Sequence, residues 1–349
     1  MAIGQGSLFA GLSYLGIGRE TTLGTAVTAS ANLDFLSCSL KLKKELKTLE
    51  QIETSRVNAK AISLSRTVEG DIEFYYSPVV DSCNFILQNA MGGTITSATA
   101  TGDTVGAAVI QHIFAIGNMD QSYTSLSINL RKGDSASAKR FGYNGARVDE
   151  LKFKAEIDDA LMVTASLVCL DATTSVTDVA SLLTASALNP LIFSAGRLSV
   201  EGTFASLTST SFWHVQSVEF GWKNNLKSGK ESRRIGTDTL GILPAGMCEY
   251  NLKAKMRFDT TTAYDAMVAQ TQYAAQLEFL GDTLTGSKLR QRLTFNMPKV
   301  YIEDAGDPEI SGPDNILTSD VIFRVLRDDS SATGYAMVAQ VVNLKANYS

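Results

Sequence analysis

The chain holds only two histidines, His112 and His214. Neither stands in the HxH or HxxxH spacing that sets two imidazoles on one metal ion. A nucleophilic serine on a sharp strand-to-helix turn would carry GxSxG, and no such motif occurs. Gly229-Lys230-Glu231 lacks the upstream glycine and the following Ser or Thr of a phosphate-cradling loop. Gly16-Ile17-Gly18 is followed by Thr21, where a dinucleotide loop needs its third glycine. The acidic pairs Asp158-Asp159 and Asp328-Asp329 do not fit a calcium loop and read as solvated turns. Cys38, Cys83, Cys169 and Cys248 lie far apart with no CxxC pair, so they read as free thiols of a reducing compartment, packed as small hydrophobes. These residues predict no catalytic site, no cofactor and no metal.

Charge narrows the partners. The formal net charge is −5, and neither half of the chain is basic, which argues against tight phosphate-backbone binding. Two local basic clusters stand out: Lys41, Lys43, Lys44 and Lys47, then Lys223, Lys227, Lys230, Arg233 and Arg234. The first runs straight into Glu45, Glu50 and Glu53 and has few aromatics for base stacking. Each cluster is either a solvated loop or a docking patch for an acidic surface on another copy. The N-terminus has no basic residue before Arg19, unlike a secretory signal, and no run spans a membrane. The expectation is a soluble protein made inside the cell.

The elements that position these residues read as mainly β. Residues 1–30, rich in Gly, Ser, Thr and Ala, read as an arm without a core of its own. Leu36, Cys38, Leu40 and Leu42 then alternate with Ser37, Ser39, Lys41 and Lys43. Residues 44–66 read as a long polar loop. Ile72, Phe74 and Tyr76 alternate with Asp71 and Glu73 up to Pro78. Residues 79–91 have helical spacing and stop at Gly92-Gly93. Strands follow around Leu126–Leu130 and Leu151–Ile157, then a central strand over 162–170.

The order then repeats. Residues 39–47 match 219–227 at an offset of 180, and at the same offset Ile72 falls on Leu252 and the helix falls on 259–271. Tyr143-Asn144 with Arg147-Val148 resembles Phe295-Asn296 with Lys299-Val300, and 161–170 resembles 317–326. The expected organisation is an arm (1–30), a first module (31–175), a linker (176–190) and a second module (191–349).

Several short segments resemble the major tail tube proteins of long-tailed, siphovirus-like phages. Gly18-Arg19-Glu20-Thr21-Thr22-Leu23-Gly24-Thr25 is similar to the G-x-E-x-x-[YW]-G-T start of that family, with Leu23 in place of the aromatic. The others are Leu36-Ser37-Cys38-Ser39, Gly70-Asp71-Ile72 after a long loop, and Gly142-Tyr143-Asn144-Gly145-Ala146-Arg147-Val148.

The resemblance implies two tandem β-sandwich or barrel modules, each with one flanking helix, whose sheets join into a ring-wide β-barrel. Three copies would make a pseudo-hexameric ring, and rings would stack into a tube that conducts double-stranded DNA without binding it specifically. Partners would be the chain itself, the tape measure, the terminator and the baseplate. Assembly would occur in the host cytoplasm, the final place being the virion tail. Lumen-facing residues would be Ser37, Ser39, Asp71, Glu73, Ser217, Glu219, Asn251 and Lys253. Lys253 and Lys255 make such a wall unevenly charged. Ring-stacking loops would carry Lys43, Lys44, Lys47, Glu50, Lys227, Lys230, Arg233 and Arg234. Rival expectations are another ring component, such as a terminator or baseplate protein, and a two-domain β-sandwich carbohydrate-binding protein.

Overall fold

The computed structural model describes residues 10–49, 57–58, 60–100, 109–117, 124–133, 139–174, 176, 189–207, 212–306, 316–329 and 334–348. Among these, the first half of the chain forms β1 (Tyr14–Arg19), β2 (Ala31–Leu33), β3 (Ser37–Cys38), β4 (Lys41–Thr48), β5 (Ala61–Tyr75), α1 (Asp81–Met91), β6 (Gly92–Thr99), β7 (Ile110–Ile116), β8 (Leu126–Lys132), β9 (Lys139–Glu156), β10 (Met162–Cys169) and β11 (Asp171–Thr173). The second half forms β12 (Gly196–Glu201), β13 (Phe212–Trp213), β14 (Val215–Lys223), β15 (Glu249–Arg257), α2 (Thr262–Val268), β16 (Gln272–Thr283), β17 (Arg290–Asp304), β18 (Thr318–Val325) and β19 (Val338–Asn343). The protein is mainly antiparallel β with short helices, as the alternation in the sequence predicts.

Two long strands organise the molecule. The first part of β9 pairs with β8 and β11, and its second part turns away to pair with β10 and β14. The first part of β17 pairs with β16 and β19, and its end pairs with β18. The pairings of β1 with β2 and β8, β8 with β9, β9 with β10 and β11, β10 with β5 and β5 with β4 find counterparts in the second half. There β12 pairs with β13 and β16, β16 with β17, β17 with β18 and β19, β18 with β15 and β15 with β14. The hairpin β6–β7 has no counterpart in this scheme.

The register refines the offset read from the sequence. Cys38 stands opposite Ile72, and Phe220 opposite Leu252. If Ile72 is matched to Leu252, the residue matched to Phe220 is Cys38, not Leu40. The slip of two residues keeps every side chain on its face, because strand faces alternate with period two. Trp222 is then the counterpart of Leu40, and both are buried.

One sheet crosses the two halves. Its order is β4–β5–β10–β9–β14–β15–β18–β17, and the joint is β9 against β14, from Ser217 opposite Glu156 to Lys223 opposite Glu150. The apolar side of this sheet carries Phe74, Ala165, Phe153, Phe220, Leu252 and Phe323, all buried. Phe153 stacks on Trp222 with ring centroids 6.1 Å apart and meets Phe295 at 4.8 Å. Trp222 also donates its indole N–H to the Ala90 carbonyl of α1, at 3.0 Å. A hydrophobic cluster therefore runs continuously from Leu15 to Tyr348 through both halves.

Several expectations need correction. The N-terminal arm does not extend to residue 30: β1 packs between β2 and β8 with Leu15 and Ile17 fully buried. The stretch read as a loop over 44–66 begins and ends in strand, since β4 runs on to Thr48 and β5 starts at Ala61. Its Ser, Thr and Lys residues suit an exposed hairpin arm as well as a loop, so polarity does not separate the two. Leu36 and Leu42 are exposed, because the strand breaks between β3 and β4. Helix α1 starts at Asp81 and ends where Gly92 adopts φ 66°, the left-handed cap that only glycine adopts cheaply. Helix α2 spans Thr262–Val268 rather than 259–271, as the run Thr260-Thr261-Thr262 delays its start. Strand β19 is an addition to the expected elements; it pairs with β17 of the second half on one side and with β7 of the first on the other.

The segment similar to the family's N-terminal motif has a structural job. Glu20 is fully buried. Its carboxylate accepts hydrogen bonds from the Ser125 hydroxyl, from Ser127 Oγ at 2.7 Å, from the Gly145 N–H at 2.9 Å and from the Gly24 N–H at 2.8 Å. This ties the turn after β1 to β8 and β9. Gly145 sits at φ 64°, and a Cβ there would lie 2.6 Å from Leu170 Cγ, so both backbone and space require glycine.

A continuous polar sheet face as the candidate functional site

The outer side of the sheet that crosses both halves is mostly polar across its width, with Val168 of β10 and Ile322 of β18 as apolar exceptions. On each strand the buried residues alternate with half-buried or exposed ones, as on β10, where Val163, Ala165 and Leu167 are buried and Thr164 and Ser166 are not. Ser37, Ser39, Asp71, Glu73, Ser217, Glu219, Asn251 and Lys253 all lie on this one face. Ser37 Oγ donates to Glu73 at 2.8 Å, and the Asp71 N–H donates to Ser39 Oγ at 2.8 Å. Across β14 and β15, Glu219 stands directly opposite Lys253 and Gly221 opposite Asn251.

The first-half and second-half residues are bridged by strands whose outer face the sequence reading left unassigned. Thr164 and Ser166 of β10 and Glu150, Lys152, Lys154 and Glu156 of β9 fill the gap between them, and Asp320 and Arg324 of β18 continue the face beyond β15. Ser166 Oγ donates to Asp71 at 2.6 Å. The alternation of Leu151, Phe153 and Ala155 with Lys152, Lys154 and Glu156 is visible in the sequence; that it belongs to the same sheet as Asp71 is not.

Several basic side chains on this face are paired with carboxylates beside them, whereas the exposed Lys223 and Lys255 have no ion-pair partner among the described residues. Lys152 reaches Glu150 at 3.1 Å, Lys154 reaches Glu156 at 2.9 Å, Lys253 reaches Asp320 at 2.9 Å, and Arg324 reaches Glu303 at 2.5 Å. Lys43 pairs with Glu69 at the end of the row. The hydrogen bond from Lys154 to Glu156 holds the ammonium above its ordinary range, and Asp320 does the same for Lys253. The face is therefore charged and balanced at these pairs, of which Lys253 with Asp320 is one.

The basic clusters divide. Lys43, Lys44 and Lys47 lie exposed on β4; Glu50 lies outside the described residues. Lys227, Lys230 and Arg234 lie exposed in the connection between β14 and β15. Arg233 is not a free docking group. Its guanidinium donates to the Asp238 carbonyl at 3.0 Å and to the Arg66 carbonyl at 3.3 Å. Arg66 in turn pairs with Asp171 and Asp238, each at 3.3 Å. The hairpin of the first half and the connection of the second thus meet inside one chain.

The remaining candidate chemistry is structural. His112 is buried between Ser97 Oγ, 2.8 Å from Nδ1, and the Asn343 side chain and Lys345 carbonyl, 3.1 and 3.0 Å from Nε2. Two acceptors at Nε2 make that nitrogen the donor, and Nδ1 accepts from the serine. Burial holds the imidazole below its ordinary value near 6.5. Burial also pushes the Cys83 thiol up to about 12 and Cys169 beyond it, so neither is a ready thiolate. Among the described residues no cluster of His, Cys, Asp and Glu could hold a metal ion, and no helix is long and apolar enough to cross a membrane.

A protein-family model described as phage tail tube protein matches residues 12–323, from just before β1 into β18. A search of curated proteins gave no match.

Proposed function

Because this chain belongs to the phage tail tube protein family, we propose that it polymerises as stacked rings whose bore is lined by the polar face of the sheet that crosses both halves. The family makes the protein a non-enzymatic structural component of the virion tail. The observation that carries the finer reading is the β9–β14 joint. There the end of one strand order pairs with the start of the next, and the polar face continues across without a break. The two ends of the same sheet are β3–β4 at one side and the end of β17 at the other, the counterparts of the strands already joined in the middle. A head-to-tail contact of this kind generates rings when the rotation closes, and closure removes the open edges.

On this reading the two halves are tandem copies of one module, and three chains make a pseudo-hexameric ring. Eight strands per chain give about 24 in the ring, a perimeter of about 115 Å and a backbone-to-backbone diameter of about 37 Å at ~4.8 Å per strand. Rings stack through the exposed hairpin β4–β5 and the loop bearing Lys227, Lys230 and Arg234. The tape measure, terminator and baseplate are its further partners, and assembly takes place in the host cytoplasm of a long-tailed, siphovirus-like phage. Double-stranded DNA passes through the bore. A wall on which Lys43, Lys152, Lys154 and Lys253 are held by neighbouring carboxylates offers phosphates few unpaired cations, so DNA slides rather than binds.

Electron microscopy of the purified protein over a concentration series tests the reading. Hollow tubes or rings with threefold symmetry are expected. A protein that stays monomeric at every concentration, and that is absent from tails after complementation of a tube-deficient phage, would overturn it.

A further inference from the structure

The segment that leads into the second half is part of the contact between the halves. Residues Phe193–Ala195 form a 3-10 turn directly before β12, and before that turn Leu191 is wedged onto the first half. Its N–H donates to the Tyr76 carbonyl at 3.0 Å, and its carbonyl accepts the Leu161 N–H at 2.7 Å. Ala160 and Ile192 form a β-bridge, and Leu191 is fully buried. The segment thus adds a short strand beside the end of β5 and the start of β10.

The same lead-in stands before the first half. Residues Ala10–Leu12 form a 3-10 turn shortly before β1. Leu15 faces Leu130 of β8 as Leu198 faces Leu277 of β16, which fixes the offset at 183. That offset carries Ala10–Leu12 onto Phe193–Ala195 and Ser7-Leu8-Phe9 onto Pro190-Leu191-Ile192.

The receiving site also recurs. The Tyr76 N–H donates to the Leu161 carbonyl at 2.9 Å, and the Phe258 N–H donates to the Leu317 carbonyl at 2.9 Å. In the second half, however, this place is a cavity of about 230 Å³ lined by Trp213, Met256, Phe258 and Ala263, among others. Apolar side chains stand exposed around it: Ile316, the counterpart of Ala160, is 70% exposed, and Phe212 and Tyr264 on the cavity wall are 45% and 48% exposed.

We propose that the cavity of the second half receives Ser7-Leu8-Phe9 of a second copy, which repeats between chains the contact that 190–192 makes within one. This rests on the reading of the chain as a self-assembling subunit. Two things point to this occupant: Leu8-Phe9 offers an apolar pair where Leu191-Ile192 is seated at the counterpart site, and in the proposed ring the β3–β4 edge of the same neighbouring copy lies beside the end of β17. Phe9 would stand opposite Ile316, as Ile192 stands opposite Ala160.

Cross-linking between full-length chains tests it. One chain carries Phe9→Cys and the other Ile316→Cys, since bridge partners bring Cβ atoms within disulfide reach. A chain with Ile192→Cys and Ala160→Cys is the geometric control and should close internally. After assembly and oxidation, the mixture should shift from the 37.5 kDa band to one of twice that mass. Neither variant alone, nor the parent with its four cysteines, should do so. The same samples are viewed by electron microscopy. Rings without the cross-link overturn the segment's role and leave the tube reading standing. Absence of both rings and cross-link overturns both. A chain bearing Phe9→Cys and Ile316→Cys together that closes on itself as a monomer overturns the second copy as occupant.

Discussion

Trp222 of β14 and Ala90 of α1 are joined by a hydrogen bond of 3.0 Å that crosses from one half of the chain to the other. The indole is 1% exposed, and Asn224 Nδ2 donates to the same carbonyl, also at 3.0 Å. The bond ties β14 to α1 beside the strand joint between the two halves. Trp222→Ala is expected to cost about 3–5 kcal/mol, the range for emptying a large aromatic site. Trp222→Phe keeps most of the packing and leaves Asn224 to satisfy the carbonyl, so about 1–2 kcal/mol is expected. Urea unfolding followed by far-ultraviolet circular dichroism checks both, and equal losses would refute the separation of packing from bonding.

Glu20 gathers four donors in a site without solvent. Glu20→Ala strands several buried donors at about 1–3 kcal/mol each, and a total loss of about 3–5 kcal/mol is expected. Glu20→Gln keeps one acceptor oxygen but turns its amide hydrogens on donors, so a smaller loss is expected. Denaturation midpoints with unchanged slopes would report both; a Glu20→Ala protein as stable as the parent would show that the web carries no energy.

The thiols should divide by burial. Cys83 and Cys169 are buried with thiols pushed up, Cys83 to about 12, whereas Cys38 and Cys248 are half-buried. Iodoacetamide near pH ~8 should leave Cys83 and Cys169 unmodified in the folded chain and label every cysteine in urea. Mass spectrometry of the peptides decides it.

His112 links stability to pH. Its folded pKa lies below the unfolded value near 6.5, so between them the unfolded chain binds more protons. The stabilisation is whole above about 6.5 and is lost as pH falls from there through the folded value. Replacing His112 with Gln should lower stability at neutral pH yet flatten its decline below about pH 6.5. An unchanged slope in the variant would mean that other groups cause the decline.

Charge on the polar face should govern DNA passage. Ser39→Lys, Asp71→Lys and Glu219→Lys together add lysines and remove two of the carboxylates that could hold them. Tails built with this chain are expected to eject DNA more slowly at low salt, with the parent rate regained as salt screens the contact. Triggered ejection timed by dye fluorescence reads it, and equal times at every salt concentration would place the face away from the DNA.

Much of the local structure is written in the chain. Period-two runs such as Ile72–Tyr76 and Leu151–Ile157 mark strands whatever they pair with, because alternation reflects only that one side is buried. Gly92-Gly93 marks a helix end because the left-handed cap is a property of the backbone itself. The recurrent order of strand, strand, helix and strands is legible for the same reason.

Tertiary structure decided the rest. Nothing local distinguishes polar stretches rich in Ser, Thr and Lys that form loops from those that form hairpin arms, so 44–66 reads as a loop until β4 is seen against β5. The buried role of β1 depends on Ser125, Ser127 and Gly145, far away in sequence, and these turn Glu20 from a surface carboxylate into a hub. The sharing of one face by Asp71, Lys154, Glu219 and Lys253 follows from β9 pairing with β14, a contact no periodicity encodes. Alternation tells each strand which residues face together; only the order of strands tells the protein which faces become one surface.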